Sequence, residues 1–297
     1  MHDPIRWFSS PKSPSDAGLP CVAWSGQLQL RRKRIVITGG SSGIGAELAR
    51  QVARLGNTVV LVASDQERLA ATAQGLRGDG ASVETQQCDL GDPAQLDALA
   101  AVLLATGPVD VLVNNAGYGV YRTFESEDPT EIDRLLDVNL TAHVRLTKRL
   151  LAPMVQRRAG AICFVASLAG RIPITPNATY CAAKHGMFGL AEALRYELRR
   201  FDIEVTTVCP GRVDTPFFDH PTFRERKLGP ENRSAVPVDR VAAATIDAIE
   251  RARSVTYIPA SLGVAAWAYE AFPALTRPLY SMLMKSRIER IYADGDH

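Results

Sequence analysis

Tyr180 and Lys184 stand four positions apart in a segment with helical spacing, so their side chains are expected on one face of a helix. A phenol titrates near about pH 10, too high for a base at neutral pH, but a neighbouring ammonium group favours the phenolate. Such a pair can protonate the alkoxide that forms when a carbonyl accepts a hydride, or take the proton back in the reverse reaction. The pair is therefore a candidate acid/base site.

A glycine-rich segment, Thr38 to Gly45, follows the first short run of β-branched residues. Gly39 permits a sharp turn, Gly43 lets backbone approach a pyrophosphate, and Gly45 lets the next helix, expected to begin near Ala46, pack close to the sheet. The N–H groups at the start of that helix then face the phosphates. The segment predicts a dinucleotide site, and a plain tight turn is the alternative.

From Gln27 onward, apolar β-branched runs alternate with longer segments of helical spacing. Parallel strands covered on both faces have such near-continuous apolar runs, and their crossovers are helices. The pattern predicts an α/β fold with a doubly wound parallel sheet in a three-layer α/β/α sandwich, which binds ligands beyond the carboxyl ends of its strands. Predicted strands span residues 34–38, 58–63, 83–88, 109–114, 161–167 and 204–209, and predicted helices span 47–55, 67–76, 93–104 and 131–156.

The glycine spacing is TGxxxGxG, and three further motifs follow it in order: Asn114-Asn115-Ala116-Gly117, Ser167 before Tyr180 and Lys184, and Pro210-Gly211 with Val213 and Thr215. With these motifs the chain resembles the short-chain dehydrogenase/reductase (SDR) family over about residues 30–260. The resemblance implies a Rossmann fold and an NAD(P)-dependent oxidoreductase. Its substrate would be a small-molecule carbonyl or secondary alcohol.

The resemblance also implies roles for single residues. Tyr180 would transfer the proton and Ser167 would polarise the substrate oxygen. Lys184 would lower the pKa of Tyr180 and hold the ribose hydroxyls, and Asn139 would support a water relay to the lysine. The implied cofactor contacts are Gly39, Ser41, Ser42, Gly43, Ile44, Gly45, Ser64, Asp89, Leu90, Asn115, Ala116, Gly117, Tyr180, Lys184, Pro210, Gly211, Val213 and Thr215.

The choice between NADP and NAD depends on the residues after the second strand. NAD enzymes place an acidic residue there, which binds the ribose hydroxyls and repels a 2′-phosphate. That position is Ala63 here, followed by the neutral Ser64, and the loop residue Ser42 is neutral as well. These residues favour NADP, whereas Asp65 leaves NAD open.

The substrate side is less defined by the sequence. The turn-rich segment 212–235 is expected to form a lid, and Phe217, Phe218 and Phe223 are candidates for its apolar lining. Ile172 and Ile174 lie between Ser167 and Tyr180 and would also face the substrate. These residues favour an apolar substrate, and the resemblance extends this to one that is lipid- or steroid-like.

The two ends of the chain differ from its middle. Residues 1–26 contain four prolines and no strand or helix period, which predicts a flexible extension before a catalytic domain at 27–260. The tail, residues 261–297, is apolar, and from Leu262 to Met284 only Glu270 and Arg277 are charged. Pro273 and Pro278 predict a short helix and a second one starting near Thr276. Residues 262–290 suit contact with a membrane surface, or packing over the cleft or a partner subunit.

Composition excludes several classes of protein. With 34 basic and 32 acidic residues the formal net charge is +2, which provides no footprint for nucleic acid. Five cysteines without a CxxC pair argue against a disulfide scaffold or a metal site and suit a reducing compartment. Neither a secretion signal nor a membrane-spanning run is apparent. We therefore expect a cytoplasmic protein, or one peripheral to the inner face of a membrane.

Three alternative functions stay open at this stage. The chain could be a non-catalytic nucleotide sensor or a membrane-docking protein on the same scaffold, although it retains both Tyr180 and Lys184. A sugar-nucleotide epimerase also uses YxxxK, but it normally has TGxxGxxG and a larger C-terminal domain. The resemblance further implies a homo-oligomer, a dimer or tetramer, that pairs through the helices of Asn139 and Tyr180.

Overall fold

A computed structural model of the chain describes residues 28–224 and 235–293, and the predicted extension at 1–26 lies outside them. Seven strands form one parallel sheet in the order β3-β2-β1-β4-β5-β6-β7. The chain therefore winds outward from β1 in one direction and then returns to continue in the other. The strands are β1 Arg34–Thr38, β2 Thr58–Ala63, β3 Ser82–Gln87, β4 Val111–Asn114, β5 Gly160–Val165, β6 Ile203–Pro210 and β7 Val255–Ile258.

Ten α-helices occur within the described residues, and most of them cover the two faces of the sheet. They are α1 Gly43–Arg54, α2 Gln66–Gly78, α3 Pro93–Ala105, α4 Pro129–Leu136, α5 Ala142–Arg157, α6 Ala178–Leu198, α7 Pro221–Arg224, α8 Val238–Glu250, α9 Ser261–Ala271 and α10 Pro273–Ala293. Within 28–224 and 235–293, no helix combines the length and the apolar character that crossing a bilayer requires.

Two apolar clusters, one on each face, hold the sandwich together. The helices α1, α2 and α8 pack on one face through residues such as Leu48, Leu69 and Val241. The helices α3, α5 and α6 pack on the other face through residues such as Leu96 and Leu146. Burying strand residues on both faces explains the continuous apolar runs of the sequence. The predicted doubly wound α/β/α sandwich is confirmed.

Several predicted boundaries were wrong. The expected helix 131–156 is interrupted, because Asp137–Thr141 form a π-helical turn between α4 and α5. The helix α1 begins at Gly43 rather than near Ala46, and β5 ends at Val165 before Ser167. In the tail, α10 begins at Pro273 and continues through Pro278, so only the first proline separates the two helices. Proline suits the first position of a helix because the N–H it lacks has no partner there.

The order of the strands fixes where a ligand can bind. The strand β1 lies between β2 and β4, so the connections after β1 and β4 leave toward opposite faces. A crevice therefore opens beyond the carboxyl ends of these two strands. The glycine loop follows β1, and Asn115, Ala116 and Gly117 follow β4. The ends of β5 and β6 bring Ser167 and Gly211 to the same edge.

Candidate active site

The glycine loop forms a cradle that leaves no room for side chains. Gly39 has a φ of +66°, and a Cβ on Gly45 would lie 2.2 Å from the carbonyl oxygen of Gly39. Ser42 precedes α1 without capping it through its side chain, so the first N–H groups of the helix face the crevice. Close backbone approach and free N–H groups fit a pyrophosphate. The loop therefore fits a dinucleotide cofactor.

Thr38 fastens the glycine loop to the end of β4. Its hydroxyl accepts hydrogen bonds from the backbone N–H groups of Asn115 and Ala116, at 2.9 and 3.0 Å, and donates to Val113 O at 3.2 Å. The Asn115 amide donates to Thr38 O at 2.8 Å. These bonds join the ends of the two strands that border the crevice and form its floor.

Lys184 lies buried one helical turn beyond Tyr180 on α6. Its Nζ donates to Val165 O at 3.3 Å and lies 5.6 Å from the centroid of the Tyr180 ring. Burial disfavours the charged ammonium and lowers the pKa of Lys184 to about 8. Tyr180 and Lys184 therefore lie on the same face of α6, as the sequence predicted, with the Lys184 ammonium group next to the Tyr180 ring.

Tyr180 and Ser167 both line the cavity, with their hydroxyl groups close enough to interact. Burial raises the pKa of the Tyr180 phenol above its ordinary value, and the nearby Ser167 hydroxyl partly opposes this. Ser167 caps the short turn Leu168–Gly170 by accepting a bond from Ala169 N at 3.1 Å. In the protein alone, Tyr180 is thus an acid rather than a base at neutral pH.

Asn139 occupies the π-helical turn between α4 and α5. Its amide nitrogen donates to Leu135 O at 3.0 Å, while its buried Oδ1 has no partner among the described residues. A Cβ on Gly117 would lie 2.4 Å from that oxygen and 3.4 Å from Lys184 Nζ. Asn139 therefore lies behind Gly117, one layer away from the crevice, with an unused acceptor near the lysine.

His143 packs against the end of β4 through two polar contacts. It is fully buried, with Nε2 2.8 Å from Ala116 O and Nδ1 3.2 Å from Asn114 Oδ1. Burial and the nearby Lys184 charge lower the pKa of His143 to about 3, so the imidazole is neutral. Its position one turn beyond Asn139 on the helix was the only signal in the sequence.

One cavity of about 640 Å³ collects most of the predicted site residues. Its lining includes Gly39, Ser42, Gly43, Ile44, Asn115, Ala116, Gly117, Ser167, Tyr180, Lys184, Pro210, Gly211, Val213 and Thr215. Ser41, Gly45, Ser64, Asp89, Leu90 and Asn139 are not among the residues that line it. Gly45 packs against Gly39, and Asn139 packs against Gly117. The cofactor contacts of Ser41, Ser64, Asp89 and Leu90 stay predictions.

Asp89, Leu90, Ser41 and Ser64 have other partners. The Asp89 carboxylate accepts two bonds from Arg134 Nη2, at 2.6 and 2.8 Å. Leu90 is buried in the core, Ser41 O accepts from Thr72, and Ser64 O accepts from Gln87.

We call the part of the cavity around Gly39, Ser42 and Gly43 the cofactor half. Arg68 lies in this half, and the sequence analysis missed it. It lines the cavity together with Gly39 and Ser42, from the first turn of α2. Asp65 caps that helix by accepting from Arg68 N at 3.0 Å, and its carboxylate pairs with Arg68 Nε at 3.1 Å. The acidic charge of Asp65 is thus offset by a guanidinium group that lines the cavity.

Aromatic rings form the substrate half of the cavity. Phe217 lies 5.6 Å from the Tyr180 ring, 5.2 Å from Phe218 and 5.9 Å from Phe223, measured between centroids. Tyr121 packs on Phe223 at 5.5 Å. Ile174 lines the cavity, whereas Ile172 is buried. Of the predicted lid at 212–235, residues 225–234 lie outside the described part of the chain.

No group of histidine, cysteine and acidic residues able to hold a metal ion occurs in the stretches 28–224 and 235–293. The four cysteines of those stretches, Cys88, Cys163, Cys181 and Cys209, are buried free thiols. Burial raises the pKa of Cys163 and of Cys209 to about 12, so these thiols are protonated at neutral pH.

Known proteins with similar sequences and structures point to one family. A family model described as short chain dehydrogenase matches residues 33–224. The "Granaticin polyketide synthase putative ketoacyl reductase 1" of Streptomyces violaceoruber is 43% identical over 198 residues, 65% of this chain and 72% of that protein.

Two solved structures extend the likeness to the fold. A short-chain dehydrogenase from Sphingobium yanoikuyae in complex with NADPH has a TM-score of 0.73 at 32% identity, covering 84% of this chain and 95% of that one. A short-chain dehydrogenase/reductase from Burkholderia phymatum in complex with NAD has a TM-score of 0.74 at 28% identity, covering 83% and 96%. One of these two structures contains NADPH and the other contains NAD.

Proposed function

The chain belongs to the short-chain dehydrogenase family, and we propose that it is an NADPH-dependent reductase of ketones that carry bulky apolar groups. The family makes the protein an oxidoreductase with a nicotinamide cofactor. The direction of reaction, the substrate class and the preference for NADPH are the proposal. The observation that carries it is the cavity in which Ser167, Tyr180 and Lys184 meet and whose other half is aromatic.

A bound nicotinamide supplies the hydride in reduction or accepts it in the reverse direction. Tyr180 donates its phenolic proton to the substrate oxygen, because burial keeps the phenol in its acid form at neutral pH. Ser167, whose hydroxyl lies close to that of Tyr180, donates to the same oxygen and stabilises the charge that develops there. A raised phenol pKa suits reduction better than oxidation, which would need the phenolate.

Lys184 and Asn139 return a proton to the tyrosine. The ammonium charge behind the Tyr180 ring favours the phenolate left after proton transfer, and its N–H groups suit the ribose hydroxyls. The unpartnered Oδ1 of Asn139 and Nζ of Lys184 both lie against Gly117. A water molecule between them would satisfy the asparagine and link the lysine to a proton relay.

The preference for NADPH is supported by charge around the end of β2. Ala63 offers no carboxylate to repel a 2′-phosphate, and the nearby Asp65 is engaged with Arg68 and the N-terminus of α2. Arg68 lines the cavity beside Ser42 and can pair with a phosphate. Ser64 and Ser42 add neutral hydroxyl groups. NAD remains the alternative that a titration must exclude.

The substrate class is supported by the rings of Tyr118, Tyr121, Phe217, Phe218 and Phe223, all of which line the cavity. Aromatic walls bury large apolar surfaces at low conformational cost. The relative from Streptomyces violaceoruber is named as a ketoacyl reductase, which is also a ketone-reducing activity. A lipid-like ketone is one member of this class.

Cellular location and assembly stay predictions from the sequence and its resemblance to the family. The chain is proposed to act in the cytoplasm as a dimer or tetramer. Gel filtration with light scattering at several concentrations would measure the oligomeric state.

The test of the reaction is Tyr180→Phe, which removes only the phenolic hydroxyl. Turnover of apolar ketones should fall by about a thousandfold or more, while NADPH still quenches tryptophan fluorescence with an unchanged Kd. Tyr196→Phe is the matched control, because Tyr196 lies on the same helix but is 75% exposed. Turnover retained in Tyr180→Phe would overturn the assignment. A wild-type protein that binds NADPH but reduces no ketone would favour the sensor alternative.

A further inference from the structure

The helix α10 turns an apolar stripe toward solvent. Leu275, Leu279, Met282 and Leu283 recur at the spacing that places them on one face of a helix. Leu275 is 72% exposed and Met282 is 66% exposed. A helix of a globular protein normally turns such a stripe toward the core, so this one lacks a partner among the described residues.

The stripe continues into α9 through two aromatic residues. Phe272, between the two helices, meets Trp267 edge to face at 5.5 Å between ring centroids. Trp267 is 61% exposed although it carries one of the largest apolar side chains. We call Trp267, Phe272, Leu275, Leu279, Met282 and Leu283 the apolar stripe.

Cations outnumber acidic residues around the apolar stripe, with four cations and two carboxylates between residues 261 and 293. Between residues 261 and 284 only Glu270 and Arg277 are charged, and Glu270 is already paired with Arg171. The exposed Lys285 follows and forms an exposed ion pair with Glu289 at 3.8 Å, of the kind that water leaves weak, and the sequence of α10 also contains Arg287 and Arg290. A protein interface normally surrounds its apolar centre with a polar rim, whereas four of the six charges here lie together between residues 285 and 290. Apolar side chains, a tryptophan and a cationic end instead complement an anionic lipid surface.

The two helices are also fastened to the segment that separates Ser167 from Tyr180. The Tyr280 hydroxyl donates to Pro173 O, and Arg171 pairs with Glu270 of α9. The Arg171 guanidinium stacks 4.3 Å over the ring of Phe188, which lies on the helix that carries Tyr180. The neighbouring Ile174 lines the substrate half of the cavity.

We propose that α9 and α10 bind the surface of an anionic lipid bilayer through the apolar stripe. The bilayer buries the stripe to the depth of the headgroup region, and Arg277 and Lys285 contact the anionic headgroups. Because the contacts of Tyr280 and Arg171 join the helices to the segment 171–174, docking holds one wall of the substrate cavity near the lipid. An apolar ketone dissolved in the bilayer then lies close to its binding site.

The test is flotation of the full chain with phosphatidylcholine vesicles, with and without phosphatidylglycerol. The protein should float with the vesicles that contain phosphatidylglycerol, and less with phosphatidylcholine alone or at high salt. The double variant Leu279→Glu with Met282→Glu should reduce the bound fraction by about tenfold or more. Phe124→Glu, which alters a 64% exposed ring on another surface, should bind like wild type.

A second pair of variants separates the charges from the stripe. Arg277→Glu with Lys285→Glu should weaken binding by about fivefold per cation and abolish the advantage of phosphatidylglycerol. Retained NADPH binding shows that each variant is folded. Flotation needs no substrate, so a failure of the proposed reaction would leave this result unaffected.

Two outcomes would overturn the proposal. One is a wild-type protein that floats with neither vesicle, or a stripe variant that floats as well as wild type. The other is a wild-type dimer that the stripe variant converts to a monomer without any vesicle binding, which would assign the stripe to a second copy of the chain.

Discussion

The cofactor half and the substrate half of the cavity are built in different ways. In the cofactor half, the backbone forms the binding surface. Glycines leave room for the cofactor, helix α1 presents N–H groups, and Thr38 joins the ends of β1 and β4. In the substrate half, aromatic side chains from the connection after β6 supply much of the wall, and they contact one another. One half is therefore fixed by the fold, whereas the other can change without disturbing it.

Both halves lie within the stretch that the family model matches. That match spans residues 33–224 and includes Phe217, Phe218 and Phe223, whereas the tail helices α9 and α10 lie beyond it. Substitutions in the cofactor half should affect cofactor binding, whatever the substrate. Substitutions in the substrate half should affect turnover of bulky ketones and leave cofactor binding intact.

The largest effect is expected for Gly45→Ala, in the cofactor half. The added Cβ would lie 2.2 Å from Gly39 O and 2.7 Å from the Asn115 amide, so the loop must move by about an ångström. A displacement of that size should weaken NADPH binding by about a hundredfold. Gly75→Ala is the matched control, since its Cβ meets nothing within 4 Å and alanine stabilises a helix. Fluorescence titration and thermal unfolding measure both variants.

Phe217→Ala should have the next largest effect, in the substrate half. The ring contacts Tyr180, Phe218 and Phe223, and its loss removes about 1.5–3 kcal/mol of apolar contact. We expect kcat/KM for a bulky ketone to fall by about thirtyfold, with an unchanged Kd for NADPH. Phe124→Ala provides the control. A similar fall for acetone and for a bulky ketone would argue against a substrate wall.

Arg68→Ala tests how the cofactor half distinguishes NADPH from NADH. Loss of one partly exposed guanidinium should weaken NADPH binding by about tenfold and leave NADH binding unchanged, because only NADPH carries the 2′-phosphate. Arg77→Ala changes the same residue type in the last turn of the same helix, where Arg77 donates to Val83 O. Equal losses for both cofactors would mean that Arg68 does not read the phosphate.

The smallest effect concerns the pH dependence of cofactor binding. Burial lowers the pKa of Lys184 to about 8, so its charge is present below that pH and is lost as the pH rises through it. Anionic NADPH should therefore bind about fivefold more weakly at high pH, with a midpoint near pH 8 in wild type. Lys184→Arg keeps its charge and should show no such midpoint. A flat wild-type profile would contradict the assigned role.

The fold and the cofactor half could largely be predicted from local patterns. The bounds of β1 and β2 agree with the predicted runs, because a strand buried on both faces is apolar along its whole length. The glycine loop could be predicted because its positions need a positive φ at Gly39 and the absence of a Cβ at Gly45. The helix predicted at 131–156 was wrong in its middle, because hydrophobic periodicity does not reveal the extra residue of the π-helical turn that holds Asn139.

Other features of the site needed the tertiary structure. Arg68 lies on an ordinary exposed helix by its sequence pattern, and only the packing of α2 beside the glycine loop brings it to the cavity. Asp89 binds Arg134, a partner 45 positions away that no local pattern indicates, and its cofactor contact stays a prediction. The exposure of the apolar stripe also needed the structure, because the spacing of apolar residues does not show whether they face solvent or the core.

The sequence by itself determined the alternation of strands and helices, the glycine loop and the Tyr180–Lys184 spacing, because each is a pattern within one short segment of the chain. Only the tertiary structure decided which groups meet from distant strands. It put Ser167 against Tyr180, Asn139 behind Gly117, and Phe217 on the tyrosine ring. It also set the direction of the pKa shifts of Tyr180 and Lys184, because desolvation depends on every element that packs around a group.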